Sequence, residues 1–518
     1  MAQHGFPGGL QLPDWKHWSD DAPLRTLPVP PELVIPLDQP NGRSRLLLEP
    51  GDPVMRGQII AEPGEGWASP VFATSSGRLA AVEWRLTAHP DGQRVRCAIL
   101  HCDGHDTPLD SPAAALPHPL SLHPAELRRR IRDAGISGLG GAAFPTAEKL
   151  DAAADQGIHT LIINAIGCEP CITCDDRLLR ERAPETLAGA AVLARASGAT
   201  RIIVAIEEDR KAAIAGVQSA MATAHDVAVT LQTVPVRYPS GGERQLIRNL
   251  TGREVPSGAL PIDIGFLVQN AGTAAAAWQT LRDGGPLLER IMSVTGPNLP
   301  QAGNVRVRFG TPMLWILEHL GIAWQGKRMV QGGPMMGSLI QDPRCPVTAA
   351  SNCLLLADDA LLGNSAVERP CIRCGECARV CPVRLLPQQL HWFARDDDRD
   401  SLRQHGLMDC IECGACAVVC PSHIPLVQQY REAKAGLIAA DIEQDRARRA
   451  RARFEAREAR LQQRAEEQQQ RRAEKREALK AAQQDDADSH KDPRKAAIEA
   501  ALARTRHKRS KDAGSTDR

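Results

Sequence analysis

The sequence CIRCGECARVCP runs from Cys371 to Pro382, and CIECGACAVVCP runs from Cys410 to Pro421. Each copy has the spacing C-x2-C-x2-C-x3-C-P, in which cysteine thiolates bind [4Fe–4S] clusters. Three thiolates at two-residue intervals lie on one tight loop and can bind three irons of a cubane. The fourth cysteine of each copy is expected to bind the cluster of the other copy.

This crossed arrangement predicts two [4Fe–4S] clusters. The ligands are expected to be Cys371, Cys374, Cys377 and Cys420 for the first cluster, and Cys381, Cys410, Cys413 and Cys416 for the second. Zinc and disulfides are the alternatives, but structural zinc sites use separated C-x2-C pairs. No C-x-x-C-H motif for haem attachment occurs. The spacer 383–409 has apolar residues at roughly helical intervals, which predicts helices between the two copies.

Composition limits the class of protein. A chain of 518 residues is expected to form three or four domains. The 63 Lys and Arg balance the 62 Asp and Glu, so the global charge indicates no nucleic-acid partner. Fifteen cysteines, eight of them in the two motifs, fit a reducing compartment. We expect neither a signal peptide at the start nor a membrane span, because no apolar run is long enough for either.

The first 115 residues are expected to hold an arm and a small β domain. Residues 1–35 are rich in Pro, Gly and Trp and predict an irregular arm that packs on a later domain. Residues 36–115 contain Glu49–Val54 (EPGDPV) and Gly57–Ile60 (GQII), which resemble the turn and strand of a lipoyl-like barrel-sandwich hybrid. No lysine stands at the matching hairpin tip, so the domain is interpreted as structural.

Residues 116–285 predict an α/β domain with strands near 161–164, 201–206 and 227–234. Its glycine-rich loop, Gly138–Lys149 (GLGGAAFPTAEK), nearly matches a Rossmann fingerprint. That fingerprint must follow a strand, whereas a predicted helix precedes this loop, so we reject the Rossmann assignment. The loop can still offer backbone N–H groups to a phosphate, with Lys149 neutralising the charge. An ordinary loop is the alternative.

Four segments in order resemble the NADH-oxidising flavin subunit of respiratory complex I. They are the glycine-rich loop, Asn164–Pro170 (NAIGCEP), Ser240–Leu246 (SGGERQL) and Val268–Thr273 (VQNAGT). Over residues 1 to about 430, the chain resembles the RnfC (or RsxC) family, whose members are subunits of the Rnf ion-translocating electron-transport complex. Residues 164–177 and Gly332–Gly337 (GGPMMG) are among the markers of that family.

The resemblance implies FMN as a cofactor and NADH as a substrate. It implies that FMN contacts Gly138, Gly140, Gly141, Lys149, Asn164, Asn270 and Thr273, and that Phe144 and Glu243 lie near the nicotinamide nucleotide. Ile166 and Gly167 depart from the pattern, because acidic residues are usual there, and the nucleotide contacts are expected to be weaker. Cys168, Cys171 and Cys174 are interpreted as reduced thiols around the flavin loop, with a third cluster as the alternative.

The predicted fold class is therefore multidomain α+β. After the barrel-sandwich hybrid and the complex-I-type α/β flavin domain, the expected parts are a β-grasp-like (SLBB-type) domain at 286–355, a helical double-cluster ferredoxin domain at 356–430, and a charged helical and disordered tail at 431–518. Met335 and Met336 are expected to pack in a core, and Cys345 and Cys353 to lie in a linker. The tail from Arg446 to Gln484 predicts a long solvated helix with i,i+4 charge pairs.

The resemblance also implies a function. We expect a peripheral protein on the cytoplasmic side of the inner membrane, where electrons from NADH enter a membrane-bound ion-translocating complex. FMN and the two [4Fe–4S] clusters would pass the electrons to integral membrane subunits and a ferredoxin-like subunit. The alternatives are a soluble flavin and iron–sulfur diaphorase subunit, or an electron carrier that has lost its flavin.

Overall fold

A computed structural model describes residues 4–40, 42–88, 92–110, 115–223, 228–362, 367–489 and 493–512. The chain divides into two compact units, Met1–Lys434 and Ala435–Arg518. The first unit contains successive β, α/β, mixed and helical parts, which confirms the multidomain α+β prediction. Within the described residues, no helix has the length and apolar character needed to cross a bilayer.

The amino-terminal arm is irregular apart from one turn at Lys16–Trp18 and a short strand, β1 (Arg25–Thr26). Two four-stranded sheets follow, in the orders β2-β9-β8-β5 and β3-β4-β6-β7. Their strands are β2 (Glu32–Pro36), β3 (Asp38–Gln39), β4 (Gly42–Leu46), β5 (Pro53–Val54), β6 (Ile59–Gly66), β7 (Val71–Phe72), β8 (Gly77–Leu86) and β9 (Arg94–Cys102). Leu33, Leu37 and Ile60 are among the buried residues that join the two sheets in one core.

The α/β part is built on a parallel sheet with the order β12-β11-β10-β13. Its elements are α1 (Pro124–Asp133), α2 (Thr146–Ala154), β10 (Thr160–Ala165), α3 (Cys174–Ser197), β11 (Arg201–Glu207), α4 (Lys211–Thr223), β12 (Val229–Val234), α5 (Glu243–Thr251), β13 (Phe266–Asn270) and α6 (Ala271–Asp283). Because parallel strands are buried on both faces, β10 and β11 are continuous apolar runs. The glycine-rich loop follows α1 and its last residues form the first turn of α2, so the prediction that a helix precedes it is confirmed.

A six-stranded sheet with the order β1-β15-β14-β18-β16-β17 forms the next part. Its remaining elements are β14 (Glu289–Thr295), β15 (Gly303–Arg308), α7 (Met313–His319), β16 (Arg328–Gln331), β17 (Ser338–Leu339) and β18 (Cys353–Ala357). The linker prediction for Cys353 was wrong, since this residue opens a fully buried strand, and Cys345 is also buried. The core prediction for Met336 was wrong as well, because its side chain is 46% exposed.

Short helices carry the cysteine motifs and the spacer, as the sequence predicts. After α8 (Asp359–Leu362), which precedes the motifs, they are α9 (Glu376–Arg379), α10 (Pro387–Arg395), α11 (Arg399–Gln404) and α12 (Ala415–Val418), followed by the start of α13 (Leu426–Ser489). Tyr430 of α13 is buried, and its hydroxyl donates a hydrogen bond to the Pro387 carbonyl at 2.6 Å. The base of α13 therefore packs against the spacer helix α10.

The second unit consists of the rest of α13 and of α14 (Pro493–Asp512). Its side chains are largely exposed, and charge pairs such as Arg451–Glu455 at 3.4 Å follow the predicted i,i+4 spacing. The long solvated helix is therefore present, and it extends further than predicted. The sequence also predicts a break at 485–490 and at Asp492–Pro493, and disorder from Arg504 to Lys511. Helix α13 instead continues to Ser489, and α14 includes Arg504–Lys511, whereas residues 490–492 and 513–518 lie outside the described residues.

Candidate functional site

The cysteines of the two motifs line two separate small cavities. One cavity is bordered by Cys371, Cys374, Cys377 and Cys420, and the other by Cys381, Cys410, Cys413 and Cys416. These are the crossed sets that the spacing predicts, because each cavity takes three thiols from one copy and one thiol from the other. The donor set of each cavity is four thiols, which fits a [4Fe–4S] cluster.

The two cavities differ in their exposure. Cys374 is exposed, and the neighbouring Ile372 has 69% of its surface exposed. Cys381 and Cys413 are buried, and burial raises the pKa of the Cys413 thiol to about 11. Glycines 375 and 414 have φ near +80°, and each precedes the short helix of its motif. The repeated local fold therefore places the same motif in two different surroundings.

The expected flavin residues meet at the carboxyl edge of the parallel sheet. Asn164 is the next-to-last residue of β10 and Asn270 is the last residue of β13, and the two residues are paired in the register of these strands. The tip of the glycine-rich loop is exposed and lies beside them, since a Cβ on Gly140 would be 3.2 Å from the Asn270 side chain. Ligands of open α/β sheets bind at such carboxyl edges.

Lys149 connects three elements at this edge. Its ammonium donates to the Glu243 carboxylate and to the Val268 carbonyl, both at 2.8 Å. The side chains of Lys149 and Glu243 are 32% and 38% exposed, so both can also meet a ligand. Lys149 thus supplies a positive charge beside the glycine-rich loop, as an anionic phosphate would require.

The two asparagines hold loops together. The amide of Asn164 donates to the Gly241 carbonyl at 2.9 Å, and its oxygen accepts the Ile166 N–H at 3.1 Å. Asn270 caps α6 by accepting the Gly272 N–H at 2.8 Å, and it donates to Asp175 at 2.6 Å. Both residues therefore shape the backbone that a ligand would meet, and both remain partly exposed.

Two other expected residues have different surroundings. Thr273 is 0% exposed, and its hydroxyl accepts the Leu139 N–H at 2.9 Å. The expectation of a direct FMN contact therefore does not hold for the Thr273 side chain, which supports the glycine-rich loop from beneath. Phe144 is partly exposed and lies 6.1 Å, centroid to centroid, from Trp67 of the barrel-sandwich part. Gly138 closes the base of the loop by donating its N–H to the Phe144 carbonyl.

A contact between the α/β part and the cysteine-rich helices was not predicted. Tyr238 is 2% exposed, and its hydroxyl donates to the Cys413 carbonyl at 2.6 Å. Nearby, Glu169 accepts the N–H groups of Met335 and Met336 at 2.8 and 3.0 Å. Burial raises the pKa of Glu169 to about 7, although these N–H groups and the Tyr238 hydroxyl oppose the shift. Both residues lie in or beside quoted motifs, but spacing alone does not indicate that they meet.

Three further cysteines lie in or just after the segment Asn164–Pro170, and each has different surroundings. The Cys168 sulfur accepts the Gly241 N–H at 3.2 Å, Cys171 is packed in a small core with Cys353, and Cys174 begins α3. Burial raises the pKa of each of the three thiols to about 12. Among the described residues, no group of three His, Cys, Asp or Glu side chains surrounds a point suited to a single metal ion.

Three protein families match successive parts of the chain. Residues 4–105 match the RnfC barrel sandwich hybrid domain, residues 131–279 match the Nuo51 FMN-binding domain, and residues 370–424 match a 4Fe-4S dicluster domain. The FMN-binding match covers the glycine-rich loop, both asparagines and Glu243. The dicluster match covers all eight cysteines of the two motifs.

Among solved structures, a chain of an NAD⁺-reducing [NiFe]-hydrogenase in the air-oxidized state is similar in structure. The match covers 59% of this chain and 60% of the hydrogenase chain, with 18% sequence identity and a TM-score of 0.45. The C subunit of the ion-translocating oxidoreductase complex of Erwinia tasmaniensis is 44% identical over 88% of this chain. This chain spans only 56% of the length of that relative. The corresponding C subunit of Serratia proteamaculans is 41% identical over 99% of this chain and 71% of its own length. The chain belongs to the RnfC family, the C subunits of ion-translocating oxidoreductase complexes.

Proposed function

We propose that electrons from NADH enter a membrane-bound ion-translocating oxidoreductase complex at this subunit. FMN and two [4Fe–4S] clusters would carry them to integral membrane subunits and a ferredoxin-like subunit. We place the protein peripherally on the cytoplasmic side of the inner membrane. When bound, FMN supplies the conversion between two-electron hydride chemistry and single-electron transfer, while the protein supplies position and electrostatics.

The contact between Tyr238 and Cys413 carries this proposal. It joins the domain that matches an FMN-binding family to the loop that lines the second cysteine cavity. Electron transfer between two cofactors requires that their binding sites lie close together in a fixed arrangement. A buried hydrogen bond between the two parts supports such an arrangement, whereas two independent modules on a flexible linker would lack it.

The nucleotide side of the proposal rests on the partly exposed residues at the carboxyl edge. Lys149 and Glu243 form a partly exposed ion pair, and Phe144 of the glycine-rich loop is also partly exposed. We infer that the loop N–H groups and Lys149 hold the flavin phosphate. Phe144 and Glu243 would orient the nicotinamide ring of NADH toward the flavin.

Anaerobic purification followed by titration with NADH tests the proposal. We expect one flavin and about eight irons per chain, flavin bleaching by NADH, and EPR signals of reduced clusters. About eight irons without flavin, and no response to NADH, would instead identify an electron carrier. A fully reducible protein that never co-purifies with integral membrane subunits would identify a soluble diaphorase subunit.

A further inference from the structure

The second flavin segment is held by a lysine from the start of the chain. Lys16 is 3% exposed, and its ammonium donates to the Gly167 carbonyl and lies 3.3 Å from the Glu207 carboxylate. Glu207 ends β11 and its side chain is 1% exposed. A buried cation therefore links the arm to the ends of two neighbouring strands.

Several other contacts dock the arm on the same loop. The Cys171 N–H donates to the Asp14 carbonyl at 2.8 Å, and the Asp14 carboxylate pairs with Arg210 at 2.8 Å. The hydroxyls of Ser19 and Thr173 are 2.9 Å apart. Lys16 is thus one of several ties, but among these ties it is the one that contacts Gly167.

The contact with Lys16 also accounts for the unusual glycine. A Cβ on Gly167 would be 3.0 Å from the Lys16 nitrogen and 3.6 Å from a Glu207 oxygen. A carboxylate side chain at position 167 would crowd this ion pair. At this position, where the family pattern usually has an acidic residue, the chain therefore has a glycine that contacts a cation from a distant segment.

The loop transmits this constraint to Asn164. Gly167 is followed by Cys168, whose sulfur accepts the Gly241 N–H at 3.2 Å. The Gly241 carbonyl in turn accepts from the Asn164 amide at 2.9 Å. Removing one partner of a buried charged pair leaves the other unsatisfied and is strongly destabilising. Without the Lys16 ammonium, Gly167 would therefore be free to move, and the Asn164 side chain would lose its fixed orientation.

We propose that Lys16 is a positioning residue of the flavin site, which acts through Gly167 and Asn164. The inference rests on the proposed function only in assuming that FMN binds at the carboxyl edge. It adds that the affinity of the site for FMN depends on a segment outside the FMN-binding domain.

The test measures FMN dissociation constants, by flavin fluorescence, on full-length protein that retains its iron and has been depleted of flavin. Lys16→Met is expected to weaken FMN binding about tenfold. Asp14→Asn is the matched control, because it removes a tie between the arm and Arg210 but leaves the Gly167 contact. We expect Asp14→Asn to change the FMN affinity less than about twofold while lowering the thermal midpoint.

A double-mutant cycle separates positioning from general stability. If Lys16 acts through Asn164, the variant Lys16→Met/Asn164→Ala will bind FMN no more weakly than Asn164→Ala alone. Additive losses, or equal losses in Lys16→Met and Asp14→Asn, would overturn the proposal. Should Lys16→Met fail to fold, Gly167→Ala replaces it, because the added Cβ displaces the ammonium and is expected to weaken FMN binding about threefold. Wild-type protein that binds no FMN would refute the proposed function itself.

Discussion

Replacing Tyr238 by phenylalanine is expected to loosen the contact between the α/β part and the second cysteine loop. The change removes the hydroxyl that donates to the Cys413 carbonyl at 2.6 Å and keeps the ring, which is 2% exposed. A buried acceptor that loses its donor costs about 1–3 kcal/mol. Local opening of this interface should therefore become about 5- to 150-fold more frequent.

Native-state hydrogen exchange measures that opening directly. In Tyr238→Phe, amides around Cys413 and around residue 238 are expected to exchange faster by this factor, while those of the barrel-sandwich part stay unchanged. The chain offers a matched control, because its second tyrosine, Tyr430, also donates to a backbone carbonyl at 2.6 Å and is also buried. In Tyr430→Phe, faster exchange is expected near Pro387, away from residue 238.

Comparing the two variants shows whether the Tyr238 hydroxyl holds this interface or only adds to general stability. If both variants accelerate the same amides, the hydroxyl of Tyr238 contributes only to general stability. If exchange around Cys413 is unchanged in Tyr238→Phe, the hydrogen bond does not hold the interface and the reasoning is wrong. If the reasoning is right, NADH should also reduce the clusters more slowly in Tyr238→Phe than in Tyr430→Phe.

Three further predictions test other parts of the structure. Burial raises the pKa of Glu169 from 4.5 to about 7, so between these pH values the folded state keeps a proton that the unfolded chain has lost. Stability should therefore fall as the pH rises from 4.5 to about 7. Thermal melts of Glu169→Gln, whose amide oxygen can still accept the Met335 N–H, should lack this pH dependence. Cys413→Ser should lose about four irons per chain by iron analysis, whereas Cys97→Ser, which changes a buried thiol of β9, should lose none. A Cβ on Gly8 would lie 2.5 Å from the Val380 carbonyl oxygen, and Gly8 has a φ of +61°. The left-handed backbone alone makes alanine about 1–2 kcal/mol less favourable there. Gly8→Ala should therefore detach the arm and speed its cleavage in limited proteolysis.

The features that could be predicted from the sequence are those whose information is local. The cysteine spacing predicted the two thiol sets because each motif forms one loop and one short helix. The alternation of apolar runs and turns predicted β10, β11 and β12 of the α/β part, but not its fourth strand, β13. By contrast, the neighbourhood of Lys16 depends on a carbonyl 151 residues away. A single lysine between tryptophans carries no periodicity from which its burial could be inferred.

The errors have related physical causes. Met336 was expected to pack in a core, but its backbone N–H donates to the Glu169 carboxylate and the residue is 46% exposed. Thr273 matches a flavin motif in sequence, but a residue at this position can either contact the ligand itself or support the glycine-rich loop that contacts it. Only the burial of the side chain distinguishes these roles.

The hydrogen bonds at the carboxyl edge imply that the flavin site is organised before a ligand binds. Asn164 and Asn270 each use both ends of their amides within the protein, and Lys149 is already paired with Glu243. A ligand would therefore meet a backbone surface whose supports are satisfied, and little ordering entropy would remain to oppose binding. It follows that a substitution at Asn270 should weaken FMN binding chiefly by releasing the α6 cap and the glycine-rich loop. Restoring that acceptor with Asp, whose carboxylate can still cap Gly272 but would face Asp175, should recover the loop but not the full affinity.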